Sequence, residues 1–194
     1  MTIIGALLGF FLLSSMSMTT PAPADVPFAP PLPNYEVALT AYNAVPAQTD
    51  DEPFITASGA YANPEVVAAR SQDLQDELPF GTIIEIDGPT SKQHTCGYSM
   101  VSPILGYRVI ADTMNVRYTN RIDVLFSTKS NYHMVDGSMK NASTILGICK
   151  GITIRVVGHL DLTRANNLPK TQAELVSLIS RGLLNQSNNI LALK

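Results

Sequence analysis

One stretch in the middle of the chain decides the fold: ADTMNVRYTNRIDVLF, residues 111–126. It places Asp112 and Asp123 at the two ends of a polar loop that separates two apolar runs. Upstream, residues 107–111 have the β-branched content of a strand. Downstream, Ile122, Val124 and Phe126 alternate with Asp123 and a leucine, with the period of two that is typical of a strand. This alternation predicts that Asp123 points away from the face of its apolar neighbours.

Such a strand–loop–strand unit can bring both carboxylates to one end of a sheet or barrel. Two carboxyl groups a few Å apart cannot both ionise cheaply, so the pKa of one is expected to rise and that group becomes a proton donor near neutral pH. The alternative interpretation is that each Asp only caps a turn, as Asp beside Asn and Thr commonly does.

The composition favours a globular domain with tails. The chain has 194 residues, 45% of them hydrophobic and only 15% charged, which is enough apolar material for a sizeable core. The net charge is −3, and no Lys/Arg cluster offers the basic stripe that phosphates require. The sequence therefore argues against nucleic acid as a partner. An anionic polymer would have to be held by shape and hydrogen bonds rather than by long-range attraction.

The N-terminus begins with an apolar run, residues 3–16, that is too short for a spanning helix. It fits the apolar part of a secretory signal, and the small residues Ala22 and Ala24 suit a cleavage site. We therefore expect export to the periplasm or cell envelope, with residues 1–24 as the signal. An uncleaved membrane anchor and an apolar arm that docks in an assembly remain alternatives. A lipid-anchored lipoprotein is excluded, because there is no Cys near the run. Residues 25–34 are rich in Pro and predict an extended linker.

The two cysteines, Cys96 and Cys149, are far apart in sequence. In an exported protein they can form a disulfide, which would stabilise the fold by about 4 kcal/mol in the chain-entropy model. The three histidines, His94, His133 and His159, have no metal-ligand spacing, so the sequence predicts neither a metal nor another cofactor.

The remaining pattern is mostly β. Strands are predicted at residues 36–42, 55–59, 66–69, 83–86, 98–101 and 152–157 besides the central pair, with loops at 47–54, 88–95 and 131–141 and a helical turn at 143–146. After Pro169, the pattern Thr171-Gln172-Ala173-Glu174 is a capping box, followed by apolar Leu175, Leu178, Ile179 and Leu183. The sequence thus predicts a small β-barrel followed by an amphipathic helix, which would pack on the barrel or on a partner.

Several stretches follow one another in an order that resembles the three-aspartate ("3D") domain, a double-psi β-barrel related to membrane-bound lytic transglycosylase A. They are residues 40–43, 48–54, 56–59, 67–69, 78–82, 112–115 and 120–124. The resemblance implies a six-stranded double-psi β-barrel over residues 35–160 with a helical extension over residues 161–194. Its most specific part is the loop that joins Asp112 to Asp123.

The resemblance also implies peptidoglycan as the substrate. Members of the family cleave the β-1,4 bond between N-acetylmuramic acid and N-acetylglucosamine without water and leave a 1,6-anhydro end. Asp123 matches the residue that acts first as acid and then as base, and Asp112 matches the aspartate that polarises it or stabilises positive charge at the anomeric carbon. A single acid/base suffices because the 6-hydroxyl of the sugar itself attacks, whereas a hydrolase needs a second group for water.

The third aspartate of the family follows the strand aligned with residues 67–69, where this chain has Arg70 and Ser71. Asp51 is the predicted replacement, with Asp50 beside it as the alternative. The glycines that many relatives carry after Asp112 are replaced by Met114 and Asn115.

The predicted substrate-binding residues come from the same motifs: Tyr42, Thr56, Ser58, Asn120 and Arg121. Tyr42 would stack on a sugar or belong to the core. Thr56 and Ser58 would line the groove or satisfy a turn, and Arg121 would contact the substrate or remain a solvated charge.

Two other functions remain open from the sequence. A non-catalytic glycan-binding barrel, as in expansin-like relatives, would keep an Asp and cleave nothing. A virion or envelope structural component, on a phage particle for example, would use the N-terminal run and the C-terminal helix as docking arms.

Overall fold

The computed structural model describes residues 32–89, 96–163 and 167–192, the last ten of these as backbone only. The elements are β1 (Asn34–Asn43), β2 (Val67–Arg70), β3 (Thr82–Pro89), α1 (Tyr98–Leu105), β4 (Arg108–Thr113), β5 (Arg121–Phe126), β6 (Asn131–His133), β7 (Met139–Asn141), α2 (Ala142–Leu146), β8 (Cys149–His159) and α3 (Gln172–Ala192). The expectation of a mostly β chain with a C-terminal helix is confirmed.

Six of the strands close into a barrel in the order β1-β5-β2-β4-β3-β8, and β8 pairs with β1 to complete the ring. The pairs β1·β5 and β2·β4 are parallel, and the other four pairs are antiparallel. β6 and β7 form a separate hairpin. The order places β2 between β4 and β5, the two strands of the central stretch.

The barrel interior is filled by apolar side chains from all six strands. On β5 these are Ile122, Val124 and Phe126, which are at most 2% exposed, as the period of two predicts. They pack in one cluster with side chains of the other strands, among them Leu39, Ala68, Ile84, Ile110 and Ile152. Asp123 therefore points to the outer face of the barrel.

Part of the outer face is also buried, because α3 packs against it. Leu175 and Ile179 of α3 join a second cluster that contains Val67, Val109 and Leu125. Half of the predicted capping box is present at the helix start: Thr171 Oγ1 accepts a hydrogen bond from the backbone N–H of Glu174 at 3.2 Å, while the Glu174 side chain accepts from the N–H of Lys170 instead of that of Thr171. The C-terminal helix thus packs on the barrel, and the side chain of Leu183 lies outside the described residues.

The predicted disulfide is present: Cys96 and Cys149 are bonded, with their Cα atoms 5.0 Å apart. It joins the segment before α1 to the start of β8. Cys149 itself is fully buried in the interior cluster.

Three secondary-structure predictions were wrong. Residues 98–101, predicted as a strand, begin helix α1, because Val101 and Leu105 are four residues apart and both bury their side chains on one helix face. Residues 55–59 form a turn with only an isolated bridge between Ile55 and Tyr61. Residues 131–141, predicted as a loop, contain the β6–β7 hairpin.

Some predictions fall on residues that the structure does not describe. These are the signal or arm at 1–24, the linker up to residue 31, His94 and most of the loop at 88–95. Among the described residues, no helix has the length and apolar character needed to cross a membrane.

Candidate active site

The two aspartates of the central stretch lie in one cross-strand row of the barrel. Ala69 of β2 pairs with Asp112 of β4 on one side and with Asp123 of β5 on the other. On the far side of β5, Asp123 pairs with Thr40 of β1. The row therefore runs Thr40, Asp123, Ala69, Asp112 across four neighbouring strands. Because neighbouring strands are about 4.8 Å apart, the backbones of the two aspartates are about 10 Å apart.

The row forms part of a cleft of about 1000 Å³ on the outside of the barrel. Its wall contains all four members of the row, together with parts of the loop before β2 and of the loop that joins β4 to β5. Ala69, the smallest member of the row, is 3% exposed and lies between the two aspartates.

Asp112 is held by three hydrogen bonds. Tyr42 Oη donates to its Oδ2 at 2.8 Å, while the backbone N–H groups of Ala57 and Thr113 donate to its Oδ1 at 3.0 and 2.9 Å. Both carboxylate oxygens therefore have donors within the protein. These bonds fix the orientation of Asp112 at the cleft wall.

Asp123 has a different environment. Its Oδ1 is buried and has no hydrogen-bond partner. Burial raises the pKa of Asp123 to about 6, and the negative charge of Asp112 adds to the rise, whereas the Thr40 hydroxyl and the charge of Arg121 lower it. Thr40 Oγ1 makes no hydrogen bond of normal geometry, so it acts on the carboxyl by proximity and not through an aligned bond.

This arrangement corrects the expected cause of the shift. The sequence predicted two carboxyl groups a few Å apart, with one raising the pKa of the other. In the structure β2 separates them, and burial is the largest cause while Asp112 is a minor one. A carboxyl group with a pKa near 6 is partly protonated near neutrality and can therefore donate a proton.

Tyr42 does not present its ring to a sugar. It is 7% exposed and belongs to the outer cluster, and burial followed by the charge of Asp112 raises the pKa of its hydroxyl well above the ordinary value. Of the two alternatives for Tyr42, the structure favours the one in which the ring belongs to a packed cluster, and Tyr42 also forms part of the cleft wall. Its structural role is to orient Asp112.

The turn after Ile55 supplies the next part of the wall. Thr56 lines the cleft but is only 4% exposed, and its Oγ1 bonds to the Ala60 carbonyl and to Ser58 Oγ, each at 3.0 Å. Ser58 is half-buried and lies outside the cleft lining. Both hydroxyl groups therefore stabilise the turn that delivers the Ala57 N–H to Asp112.

Two predicted residues are not brought to the cleft. Asp51 is exposed and is not part of the cleft wall, whereas its neighbour Asp50 lines it. Asn120 has a positive φ of 46°, and its side chain bonds to the Glu36 carbonyl at 3.2 Å, so it shapes the turn before β5 instead of facing the cleft.

The loop between β4 and β5 contributes a group that the sequence prediction missed. Arg117 and Arg121 both lie over the ring of Tyr118, each with its guanidinium carbon 4.9 Å from the ring centroid. All three residues line the cleft. Arg121, predicted as a substrate contact, is thus at the cleft and on the same face of β5 as Asp123. The clustering of Arg, Tyr and Arg in this loop is visible in the sequence, but its contact with the cleft is not.

Among the described residues, no group of three or more His, Cys, Asp or Glu side chains is arranged to hold a metal ion. In comparisons with known proteins, no family model matches the chain and no curated protein matches it significantly in sequence.

Proposed function

We propose that this chain is a lytic transglycosylase-like protein that cleaves the β-1,4 bond between N-acetylmuramic acid and N-acetylglucosamine in peptidoglycan, with Asp123 as acid and base. The observation that carries the proposal is the environment of Asp123: a buried carboxyl oxygen without a partner, in a cleft wall, with a pKa raised to about 6. A general acid must lie where the substrate binds and must keep its proton near neutral pH.

The proposed reaction uses one proton twice. Asp123 gives its proton to the glycosidic oxygen as the bond from that oxygen to the anomeric carbon breaks. The Asp123 carboxylate then takes the proton of the 6-hydroxyl as that oxygen bonds to the anomeric carbon, which leaves a 1,6-anhydro end and a protonated Asp123. Asp112, held in place by its three donors, would stabilise the positive charge that develops at the anomeric carbon.

The fold supports this proposal. A closed six-stranded barrel with two parallel pairs and crossing connections is compatible with the double-psi arrangement that the resemblance to the three-aspartate domain implies. A cleft of about 1000 Å³ is at the upper end of the range for small-molecule sites and has room for a segment of polymer. The disulfide between Cys96 and Cys149 is compatible with the proposed export to the cell envelope.

The test is digestion of purified peptidoglycan, with mass spectrometry of the released fragments. We expect anhydro-muropeptides from the unaltered protein and none above background from Asp123→Asn. Asp76→Asn is the matched control, since Asp76 is exposed and lies outside the cleft lining. Release of the same product by folded Asp123→Asn protein would refute the assignment.

A specific observation favours a second candidate, a glycan-binding barrel without catalysis. Phe54 and Tyr61 stack with ring centroids 6.5 Å apart and are 57% and 59% exposed, and Ile55 between them in sequence lines the cleft. Exposed, near-parallel aromatic rings beside a cleft are suited to the apolar face of a sugar. Sedimentation with insoluble peptidoglycan that is lost in Phe54→Ala/Tyr61→Ala, without release of any fragment, would favour this candidate.

A further inference from the structure

The wall of the cleft beside Asp123 carries two cations that have no carboxylate partner. Within residues 32–89, 96–163 and 167–192 the ion pairs within 4.0 Å involve Arg155, not Arg117 or Arg121. Arg121 influences Asp123 through its charge, but no nitrogen of Arg121 lies within 4.0 Å of that carboxylate. Both guanidinium groups line the cleft.

The two cations are held close together by Tyr118. Each guanidinium carbon is 4.9 Å from the ring centroid, so the two carbons are within about 10 Å of each other. Arg117 Nη2 also donates to Tyr118 Oη at 3.1 Å. The ring faces attract the guanidinium groups, which offsets part of their mutual repulsion. We call Arg117, Tyr118 and Arg121 the arginine clamp.

The loop that carries the clamp has an ordered backbone. Asn115 accepts the N–H of Arg117 on its side chain at 3.1 Å and the N–H of Tyr118 on its carbonyl at 3.0 Å. At the loop start, the N–H of Met114 donates to the Arg70 carbonyl at 2.9 Å. The positions of Arg117 and Tyr118 are thus fixed by backbone bonds rather than by contact between the arginines alone.

One atom of the clamp has unmet hydrogen-bonding capacity. Arg121 Nε is buried and makes no hydrogen bond. A buried donor left without an acceptor costs about 1–3 kcal/mol, and more when it belongs to a charged group. This atom is shielded by the protein, so it marks Arg121 as incompletely paired within the described residues and is not itself a contact for a bound molecule.

From this geometry we infer that the arginine clamp is a carboxylate-binding subsite of the cleft, which recognises an acidic group on the glycan next to the bond that Asp123 faces. The inference rests on the proposed function and adds the substrate class: a polysaccharide whose sugars or side branches carry carboxylates, rather than a neutral one such as chitin. Guanidinium groups bind carboxylates with short, charge-assisted and often paired hydrogen bonds.

Charge elsewhere in the protein makes the subsite selective. The net charge is −3, and the cleft wall also contains Asp50 and Glu52. Among the residues that line the cleft, Arg117 and Arg121 are the cationic ones, so a carboxylate bound at the clamp meets positive charge and one bound beside Asp50 and Glu52 meets negative charge. On a peptidoglycan strand the carboxylate can belong to the lactyl group or to the peptide stem.

The test is equilibrium binding of dye-labelled strands of matched length, measured by fluorescence anisotropy in Asp123→Asn protein so that no strand is consumed. Three ligands separate the sources of the carboxylate: strands with peptide stems, strands stripped by an amidase so that the lactyl carboxylate is free, and neutral chitin oligosaccharide. We expect one or both acidic strands to bind at least about fivefold more tightly than chitin at low salt, and the difference to shrink at high salt.

The variants Arg117→Gln and Arg121→Gln should each lower affinity for the preferred acidic strand about five- to tenfold and change chitin binding less than about twofold. Arg155→Gln is the matched control, because Arg155 pairs with Glu85 and Asp87 away from the cleft. Arg121→Lys retains the charge but not the planar guanidinium group. Its affinity for the acidic strand should therefore lie between those of Arg121→Gln and the unaltered protein. Circular dichroism of each variant reports folding.

Equal affinity for acidic strands and chitin, or equal losses in the Arg117 and Arg155 variants, would overturn the inference. A second outcome separates the two proposals. If the preference for acidic strands over chitin is lost in the Arg117 and Arg121 variants, but the unaltered protein releases no anhydro product, the proposed cleavage is refuted and the subsite stands. If the unaltered protein forms anhydro product but binds acidic strands and chitin equally, the proposed cleavage stands and the subsite is refuted.

Discussion

Asp112 and Asp123 flank the same residue of β2, one on each side, so that one strand separates the two carboxylates of a single cleft. The two groups consequently have different surroundings. Asp112 receives donors from Tyr42, Ala57 and Thr113, while Asp123 has a buried oxygen with none. One carboxylate is therefore fixed by the protein, and the other has an oxygen without a donor.

The buried carboxyl of Asp123 should make stability depend on pH. Its pKa in the folded protein is about 6, above the value of about 4 in an unfolded chain, so the folded state holds the proton more tightly. The stabilising contribution is fully present below pH 4 and is lost as the pH rises through 6. At pH 7.5 the ionised group then costs about 3 kcal/mol, so Asp123→Asn should be more stable than the unaltered protein by about that amount.

Denaturant unfolding at pH 7.5 and at pH 4 measures this difference. The two proteins should have nearly equal free energies of unfolding at pH 4, and Asp76→Asn should show no such pH-dependent gain. A constant difference between the proteins across this range would contradict the assignment of the shifted pKa to Asp123.

The rate of anhydro-product formation should fall on the alkaline side of pH 6, because only protonated Asp123 donates a proton. Well above pH 6 the fall should approach tenfold per pH unit. Arg121 lowers the pKa of Asp123 and Asp112 raises it, so Arg121→Gln should move this limb to higher pH and Asp112→Asn should move it to lower pH.

Initial rates between pH 5 and 8, at saturating peptidoglycan, measure these shifts. Arg155→Gln serves as the control and should leave the profile where it is. Shifts of the same sign in the Arg121 and Asp112 variants would be inconsistent with an electrostatic cause.

The sequence could predict the strands but not the row that they form. Alternation in residues 122–126 identified the buried face of β5 and placed Asp123 on the other side. Which strands become neighbours depends on long-range pairing, so the position of Ala69 between the two aspartates carries no local signal.

Short apolar runs and exposed side chains account for the other differences. Val101 and Leu105 fit a helix, but a run of this length does not distinguish a helix from a strand without tertiary contacts. Tyr42 ends a strand with an apolar ring and a polar tip, and only its contact with Asp112 shows that the ring faces the core.

Tyr42→Phe tests the role of this tyrosine. The substitution keeps the ring and removes one of the three donors to Asp112, so we expect the free energy of unfolding to fall by about 1 kcal/mol. Denaturant unfolding measures the loss, and Tyr61→Phe is the control, since Tyr61 is 59% exposed. An equal effect in both variants would indicate that the Tyr42 hydroxyl has no specific role.

The disulfide should contribute strongly to stability. Cys96 and Cys149 are 53 residues apart, and a loop of that length corresponds to about 4 kcal/mol in the chain-entropy model. Unfolding with and without a reductant should show a loss of this order in the unaltered protein and none in the double variant Cys96→Ser/Cys149→Ser. A protein that is indifferent to the reductant would contradict the prediction.

Arg108 should be among the most important residues for folding, although it lies away from the cleft. Its side chain is 1% exposed, and its guanidinium donates to the backbone carbonyls of Ile104 and Leu105 at the end of α1, and to those of Pro64 and Leu125. Burial lowers its pKa to about 10, so it remains charged at neutral pH. Arg108→Met fills much of the same space but leaves these buried carbonyls without donors.

We therefore expect Arg108→Met to lower the free energy of unfolding by about 3 kcal/mol or more, measured by denaturant unfolding at pH 7. Arg155→Met is the matched control. The side chain of Arg155 is 42% exposed and its pairs with Glu85 and Asp87 are on the surface, where such pairs contribute about 0–1 kcal/mol. Because Arg108 bonds to the end of α1 and to β5 at once, its loss should also weaken the packing of the helix on the barrel. Similar small losses in both variants would mean that water replaces the Arg108 donors at those carbonyls.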